Sequence, residues 1–282
     1  VARMALPQLG GAPAVWNSAM LVYQALLLAG YTYAHAIARL PLKRQALIHL
    51  AVLALAGLTL PIALADLAPP ASQGFEALWV PLLFVLTIGP VFFAVSAQAP
   101  LIQRWYAADP NAGDPYWLYA ASNLGSFAGL LAYPLFLEPN LPLGSQSWVW
   151  SAGYILLIGL VAAAAWMRRD APVADESVIS DSEAEPIGWR RIALWLALSA
   201  VPSGLMLSTT THLTTDIVAM PLLWVMPLGL YLLSFVFAFN ERSALGYTLA
   251  RVAPVVVLLA GGMAMVSQNA ASLSIGFATV LM

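Results

Sequence analysis

The sequence predicts an all-α integral membrane protein, a polytopic bundle of about eight or nine transmembrane helices. Three observations predict it. Charged residues are 9% of the chain and hydrophobic ones 61%, with a mean hydropathy of +0.83. A soluble domain carries roughly 25% charged residues, and so thin a supply cannot coat a water-exposed surface. Apolar runs of spanning length recur along the whole chain, given that about 20 helical residues cross the hydrocarbon core. The loops between those runs alternate in their content of Lys and Arg.

Eight runs qualify in order: 14–38, 46–65, 77–97, 116–137, 147–167, 191–209, 218–239 and 249–267. A ninth begins near Ser272. The runs are continuously apolar, whereas barrel strands would alternate. In lipid each backbone N–H and C=O needs an internal partner, so the runs are read as helices. Arg39, Lys43 and Arg44 follow the first run, and Arg104 follows the third. Arg168, Arg169, Arg190 and Arg191 lie between the fifth and sixth, and Arg242 and Arg251 between the seventh and eighth. The intervening loops, around 66–76, 138–146 and 210–217, hold no Lys or Arg, and Arg3 alone falls on that side. The positive-inside rule therefore assigns the loops 39–45, 98–115, 168–190 and 240–248 to the cytoplasm. Trp105, Tyr106, Tyr116, Trp117, Trp148, Trp150, Trp166 and Trp189 cluster at predicted helix ends, as interfacial aromatics do.

The domain organisation follows from one polar interruption. Residues 168–190 hold Asp170, Asp175, Glu176, Asp181, Glu183 and Glu185 between arginine pairs, without periodicity. This reads as a flexible acidic cytoplasmic linker. It separates a first bundle of five helices, 1–167, from a second, 191–282, of three helices and a truncated one. The chain opens on Val1 and closes at Met282 within an apolar run. Those ends lead us to expect an internal piece of a longer polypeptide.

Several function classes are excluded or disfavoured. With no cysteine, the chain has no disulfide, thiol nucleophile or Cys metal site. His35, His49 and His212 are far apart, so no metal site is expected. A net charge of -2 without a basic block disfavours nucleic acid. No G-x-G-x-x-G, Walker A, H-E-x-x-H or G-x-S-x-G occurs, so no cofactor is expected and no catalytic residue is assigned.

The remaining signals are polar residues inside apolar runs. In the fourth run, Gly125 and Gly129 with Ser122 form a small-residue face in G-x-x-x-G spacing, expected to pack against another helix. Asn123, beside that face, is interhelical glue or a substrate contact. In SAQAPLIQRWYA, Pro100 is expected to break the third helix, and Gln98 with the exposed carbonyls there can hold a polar ligand. The stretch Ser208 to Asp216, STTTHLTTD, is the most polar outside the linker. Asp216 at a helix centre would cost about 2.5–3.5 kcal/mol, so it belongs at an interface, in a cavity or in a pair. If the segment is helical, His212 and Asp216 share a face; otherwise Thr and Asp cap the next helix. Asn17 and Gln24, seven apart, share a face, and with His35 and His49 are read as interhelical hydrogen-bonding groups. Glu138 in FLEP marks a helix end.

Four stretches carry a family resemblance: PQLGGAPAVWNSAMLVYQALLLAGYTYAH, SAQAPLIQRWYA, DPYWLYAASNLGSFAGLLAYPLFLEP and THLTTDIVAMPLLWVMPLGLYLLSFVFAF. Together they resemble the membrane region of bacterial fused proteins that couple a transporter-like region to a spermidine-synthase-like domain. The resemblance covers most of the chain outside the acidic segment. It implies one more helix before this segment and a soluble Rossmann-type domain after it, which would hold any aminopropyl-transfer activity. The loop RLPLKRQ lacks the Gly/Asp/Arg pattern of orthodox major facilitator transporters. The expected function is an inner-membrane domain that binds or moves a small polar or cationic metabolite, with Asp216, His212, Asn123 and Gln98 as ligand candidates. The alternative is a non-catalytic accessory subunit of a larger inner-membrane complex. Expected partners are the lipid bilayer and a C-terminal domain or other membrane subunits.

Overall fold

The computed structural model describes residues 1–9, 13–70, 76–109, 112–113, 115–168, 188–212 and 225–239, with a few between 247 and 259. Among them there are helices and no strand. The helices are α1 (Ala2–Leu9), α2 (Pro13–Ile37), α3 (Leu42–Gly57), α4 (Glu76–Ser96), α5 (Gln98–Ala107) and α6 (Tyr116–Ala132). A π-turn over Tyr133–Leu137 leads from α6 into α7 (Glu138–Asn140), followed by α8 (Leu143–Met167), α9 (Trp189–His212) and α10 (Val225–Ala238). Among the described residues, four helical stretches are long and apolar enough to cross a membrane: Leu78–Ala107, Trp117–Asn140, Leu143–Met167 and Trp189–Thr210. In α9 every residue from Trp189 to Pro202 is exposed, on all sides of the helix, including Leu194, Trp195, Leu196 and Leu198. A helix that is apolar and exposed all round suits hydrocarbon rather than water.

The sequence accounts for the helix irregularities. Pro100 has no N–H to give the Ser96 carbonyl, and its ring crowds that carbonyl. The helix accordingly stops at Ser96 and restarts at Gln98, with Pro100 in the first turn of α5 where its missing N–H costs little. The break thus lies one turn before the proline. Pro134 cannot donate to Leu130, and the π-turn Tyr133–Leu137 absorbs the misfit so that the helix continues past Glu138 to Asn140.

The run 46–65 behaves differently from expectation. Its helix starts earlier, at Leu42, and ends at Gly57. Sixteen residues give about 24 Å, short of a hydrocarbon core of about 30 Å. The rest, through Pro70, is not helical apart from turns. Prolines 61, 69 and 70 remove donors and prevent continuation. Its backbone finds side-chain partners: Ser147 donates to the Ile62 carbonyl at 2.6 Å, and the Ala65 N–H donates to Thr87 Oγ1 at 3.1 Å. Irregular backbone away from water is tolerated where protein side chains satisfy its polar groups in this way.

The contacts divide the chain into two compact units, residues Val1–Gly113 with Asn140–Ala174, and Asp114–Pro139 with Asp175–Met282. In the first, α2 packs on α4, and α3 packs on both α4 and α8. Its core holds Leu53, Ile88, Val91, Leu101, Trp105 and Tyr154. In the second, α6 packs on α10, and α10 on α9. Helix α6 precedes the acidic segment in sequence, yet its helix partner, α10, follows it. The division therefore does not follow the consecutive order 1–167 and 191–282. The acidic segment lies outside the described residues except for Arg168 and 188–190.

Candidate functional site

The most connected polar cluster is in the first unit, where α4 breaks into α5. Gly30 on α2 makes it possible. A Cβ at this position would lie 2.6 Å from Ser96 Cβ, 3.0 Å from the Phe93 carbonyl oxygen and 3.3 Å from the Ala97 nitrogen. Only glycine lets α2 press its backbone against the break. Tyr33, three residues later on the same face, then reaches α3. Its hydroxyl lies 3.3 Å from Nδ1 of His49, and the rings sit 5.8 Å apart.

His49 is completely buried. Its Nε2 lies 2.8 Å from the Gln98 side-chain amide nitrogen, which comes from the first residue of α5. His49 thus ties α2, α3 and α5 together. With the amide donating to Nε2, the ring proton sits on Nδ1 and points to Tyr33. This leaves Gln98 Oε1 buried with no hydrogen-bond partner. Such orphaned acceptors are rare, and each calls for a reason.

One turn nearer the start of α3, Gln45 is also buried. Its amide donates to the Leu40 carbonyl at 2.6 Å and to Ala38 at 3.3 Å, so it caps the end of α2. Its Oε1 accepts from the indole N–H of Trp105 at 3.1 Å. Trp105, expected in an interfacial belt, is instead 2% exposed and belongs to the core. The reason is this hydrogen bond, which satisfies its polar atom inside the protein. Trp148, Trp166 and Trp189 are exposed, as belt residues would be.

No known protein family matches this chain, and no curated protein or solved structure matches it.

The other sequence candidates fall elsewhere. Asn123 does not bridge helices through its amide, which donates to the Tyr119 carbonyl of its own helix at 2.8 Å. Ser126 likewise donates to Ser122 at 3.0 Å. Ser122, Gly125 and Gly129 are exposed, and a Cβ on either glycine would meet nothing within 4 Å. The expected packing face is thus open among the described residues. Helix α6 packs instead through its other side, where Phe127 lies 3.2 Å from the position of a Cβ on Gly229 and Tyr119 meets Phe239 at 5.3 Å. A hydroxyl pair also approaches between helices here, Ser203 to Tyr231 at 3.4 Å. His212 is the last residue of α9, and Asp216 lies outside the described residues. Asn17, Gln24 and His35 are exposed rather than in the interior. No group of three His, Cys, Asp or Glu residues converges among the described residues.

Sequence reasoning took Gln98 as a lone ligand candidate and His49 as a lone hydrogen-bonding residue. It missed that they touch, and it missed Tyr33, Gln45 and Trp105. The available signal was Pro100, two residues from Gln98. The pairing partner, 49 residues away, left no local trace.

Proposed function

We propose that this chain is the membrane-embedded part of a bacterial inner-membrane protein of the spermidine-synthase-like fused kind. We further propose that its first unit binds a small polar or cationic metabolite at the α4–α5 break. The observation that carries the site is the buried, unpartnered Gln98 Oε1 beside His49. An acceptor without a donor suits an ammonium or hydroxyl group, and discontinuous helices commonly build such sites. His212 and Asp216 remain candidate ligands from sequence. The eight or nine spans and their orientation are part of the same reading. Contacts within the first unit support the orientation, because they keep the loop ends sorted. Gln45 meets Trp105, and Arg168 meets Asp109 at 2.7 Å, joining loops assigned to the cytoplasm. Ser147 meets Ile62, and Trp79 donates to the Ala68 carbonyl at 2.8 Å, joining ends assigned to the opposite side.

The test is equilibrium binding of radiolabelled spermidine and putrescine to the purified protein. Gln98→Leu is expected to weaken binding roughly tenfold, the loss of one hydrogen bond to a charged group. Asn123→Leu should leave affinity unchanged, and Asp216→Asn reports whether that carboxylate takes part. Equal affinity for wild type and Gln98→Leu would remove the α4–α5 break from the reading.

A second reading, an accessory subunit, is favoured by the open face at Gly125 and Gly129, which would admit a helix of another protein at close range. Stable co-purification with a defined complex that is lost in Gly125→Leu supports it.

A further inference from the structure

The basic end of the first unit has a feature that metabolite binding does not use. Arg39 lies between Ala38 and Leu40, whose carbonyls both accept from Gln45. Arg44 precedes Gln45, and Arg104 precedes Trp105, which donates to that same glutamine. Lys43 lies on the first turn of α3. Four exposed cations thus stand next to, or within two residues of, the members of one hydrogen-bonded hub. Asp109 holds Arg168, and none of the four makes an ion pair among the described residues. Lys43 and Arg44 also occupy a helix start that has no side-chain cap and no acid in its first turn. The helix dipole disfavours cations there and favours an anion.

Below the cations, the exposed face of α3 is apolar for its whole length. Lys43, Leu47, Ala51, Ala54, Leu55 and Leu58 are all exposed and follow one another at helical spacing. The surface therefore has a positive head and an apolar track beneath it. We propose that this face of α3, with Arg39, Arg44 and Arg104, is a docking surface for an anionic phospholipid of the surrounding bilayer. The cations hold the phosphate-bearing headgroup, and an acyl chain lies along Leu47, Leu55 and Leu58. Basic clusters between membrane helices recognise anionic headgroups by this charge complementarity.

Native mass spectrometry of the full chain tests it, with phosphatidylglycerol and phosphatidylcholine added in equal amounts. The wild type should retain phosphatidylglycerol preferentially, and the preference should shrink as ionic strength rises. Lys43→Gln/Arg44→Gln/Arg104→Gln should reduce the preference by roughly five-fold for each neutralised cation. The charge-conserving Lys43→Arg/Arg44→Lys/Arg104→Lys variant should keep it, which separates loss of charge from loss of fold. Equal retention of the two lipids by the wild type overturns the proposal. So does an undiminished preference in the triple glutamine variant.

Discussion

Gly30→Ala is the substitution most directly constrained by the geometry. The new methyl would start 2.6 Å from Ser96 Cβ and 3.0 Å from the Phe93 carbonyl oxygen. Ordinary carbon contacts sit at about 3.5–4.0 Å, so α2 must retreat from the break by about 1 Å. Backbone atoms supply two of the three contacts, and they cannot rotate away as a flexible side chain could. Overpacking of this kind costs about 1–3 kcal/mol. The retreat also carries Tyr33 away from His49. Their 3.3 Å separation is already long for a hydrogen bond, and losing it adds about 0.6 kcal/mol. Alanine returns about 1 kcal/mol through its better helix propensity. The expected net loss is about 0.6–2.6 kcal/mol. Unfolding in mixed micelles, followed by circular dichroism, reads it. Gly125→Ala and Gly129→Ala are the controls, since a Cβ at either meets nothing within 4 Å. They should be neutral or stabilising, so the sign differs from that at Gly30. A Gly30→Ala protein as stable as wild type would refute the close approach of α2 to the break.

Further outcomes follow from the same contacts. Trp105→Phe leaves Gln45 Oε1 without its indole donor and should cost about 0.6–1.7 kcal/mol, read in the same unfolding assay. Ser147→Ala should cost a similar amount and expose the non-helical segment around Ile62 to faster amide exchange, whereas Ser199→Ala, which removes only bonds back to its own helix, should not exceed about 0.5 kcal/mol. Arg168→Ala should cost at most about 1 kcal/mol, because Asp109 is 38% exposed and water takes over much of its charge. The chain has no cysteine, so a single introduced thiol reports its own location. Cysteines at Lys43 and Ala108 should react with an impermeant maleimide from one side of the membrane, and those at Ala68 and Leu141 from the other. Labelling of Lys43→Cys and Ala68→Cys from the same side would overturn the proposed orientation.

Much of the helical layout is legible in sequence, because spanning length and apolar continuity are local properties. The runs 77–97, 116–137, 147–167 and 191–209 all correspond to described helices, with shifts of one to a few residues at their ends. The early end of α3 is the instructive exception. Residues 58–65 are as apolar as a helix requires, and hydropathy cannot separate them from the rest of the run. Pro61 is the local sign, but what stabilises the alternative is Ser147 and Thr87, 85 and 22 residues away from their backbone partners. The segment leaves the helix where distant hydroxyls bond its backbone, Ser147 donating to Ile62 and Thr87 accepting from Ala65, and that information is not in the segment.

The same distinction separates the polar residues. Asn123, Ser126, Ser199 and His49 look equivalent as polar groups in apolar runs. A short side chain within reach of its own i−4 carbonyl can satisfy itself, and Asn123, Ser126 and Ser199 do so. An imidazole has no comparable route back to its helix, so burying it requires partners on other helices. His49 finds them in Tyr33 and Gln98, and Trp105 finds one in Gln45, for the same reason. Within a membrane run, a histidine or tryptophan that is buried is therefore a stronger pointer to a place where helices converge than a serine or asparagine is. In this chain that place coincides with the Pro100 break and the Gly30 approach. Gln98 carries one amide that can serve His49 with one end only. The unsatisfied end follows from that geometry, and it is what makes this junction, rather than the glycine face of α6, the place to look for a ligand.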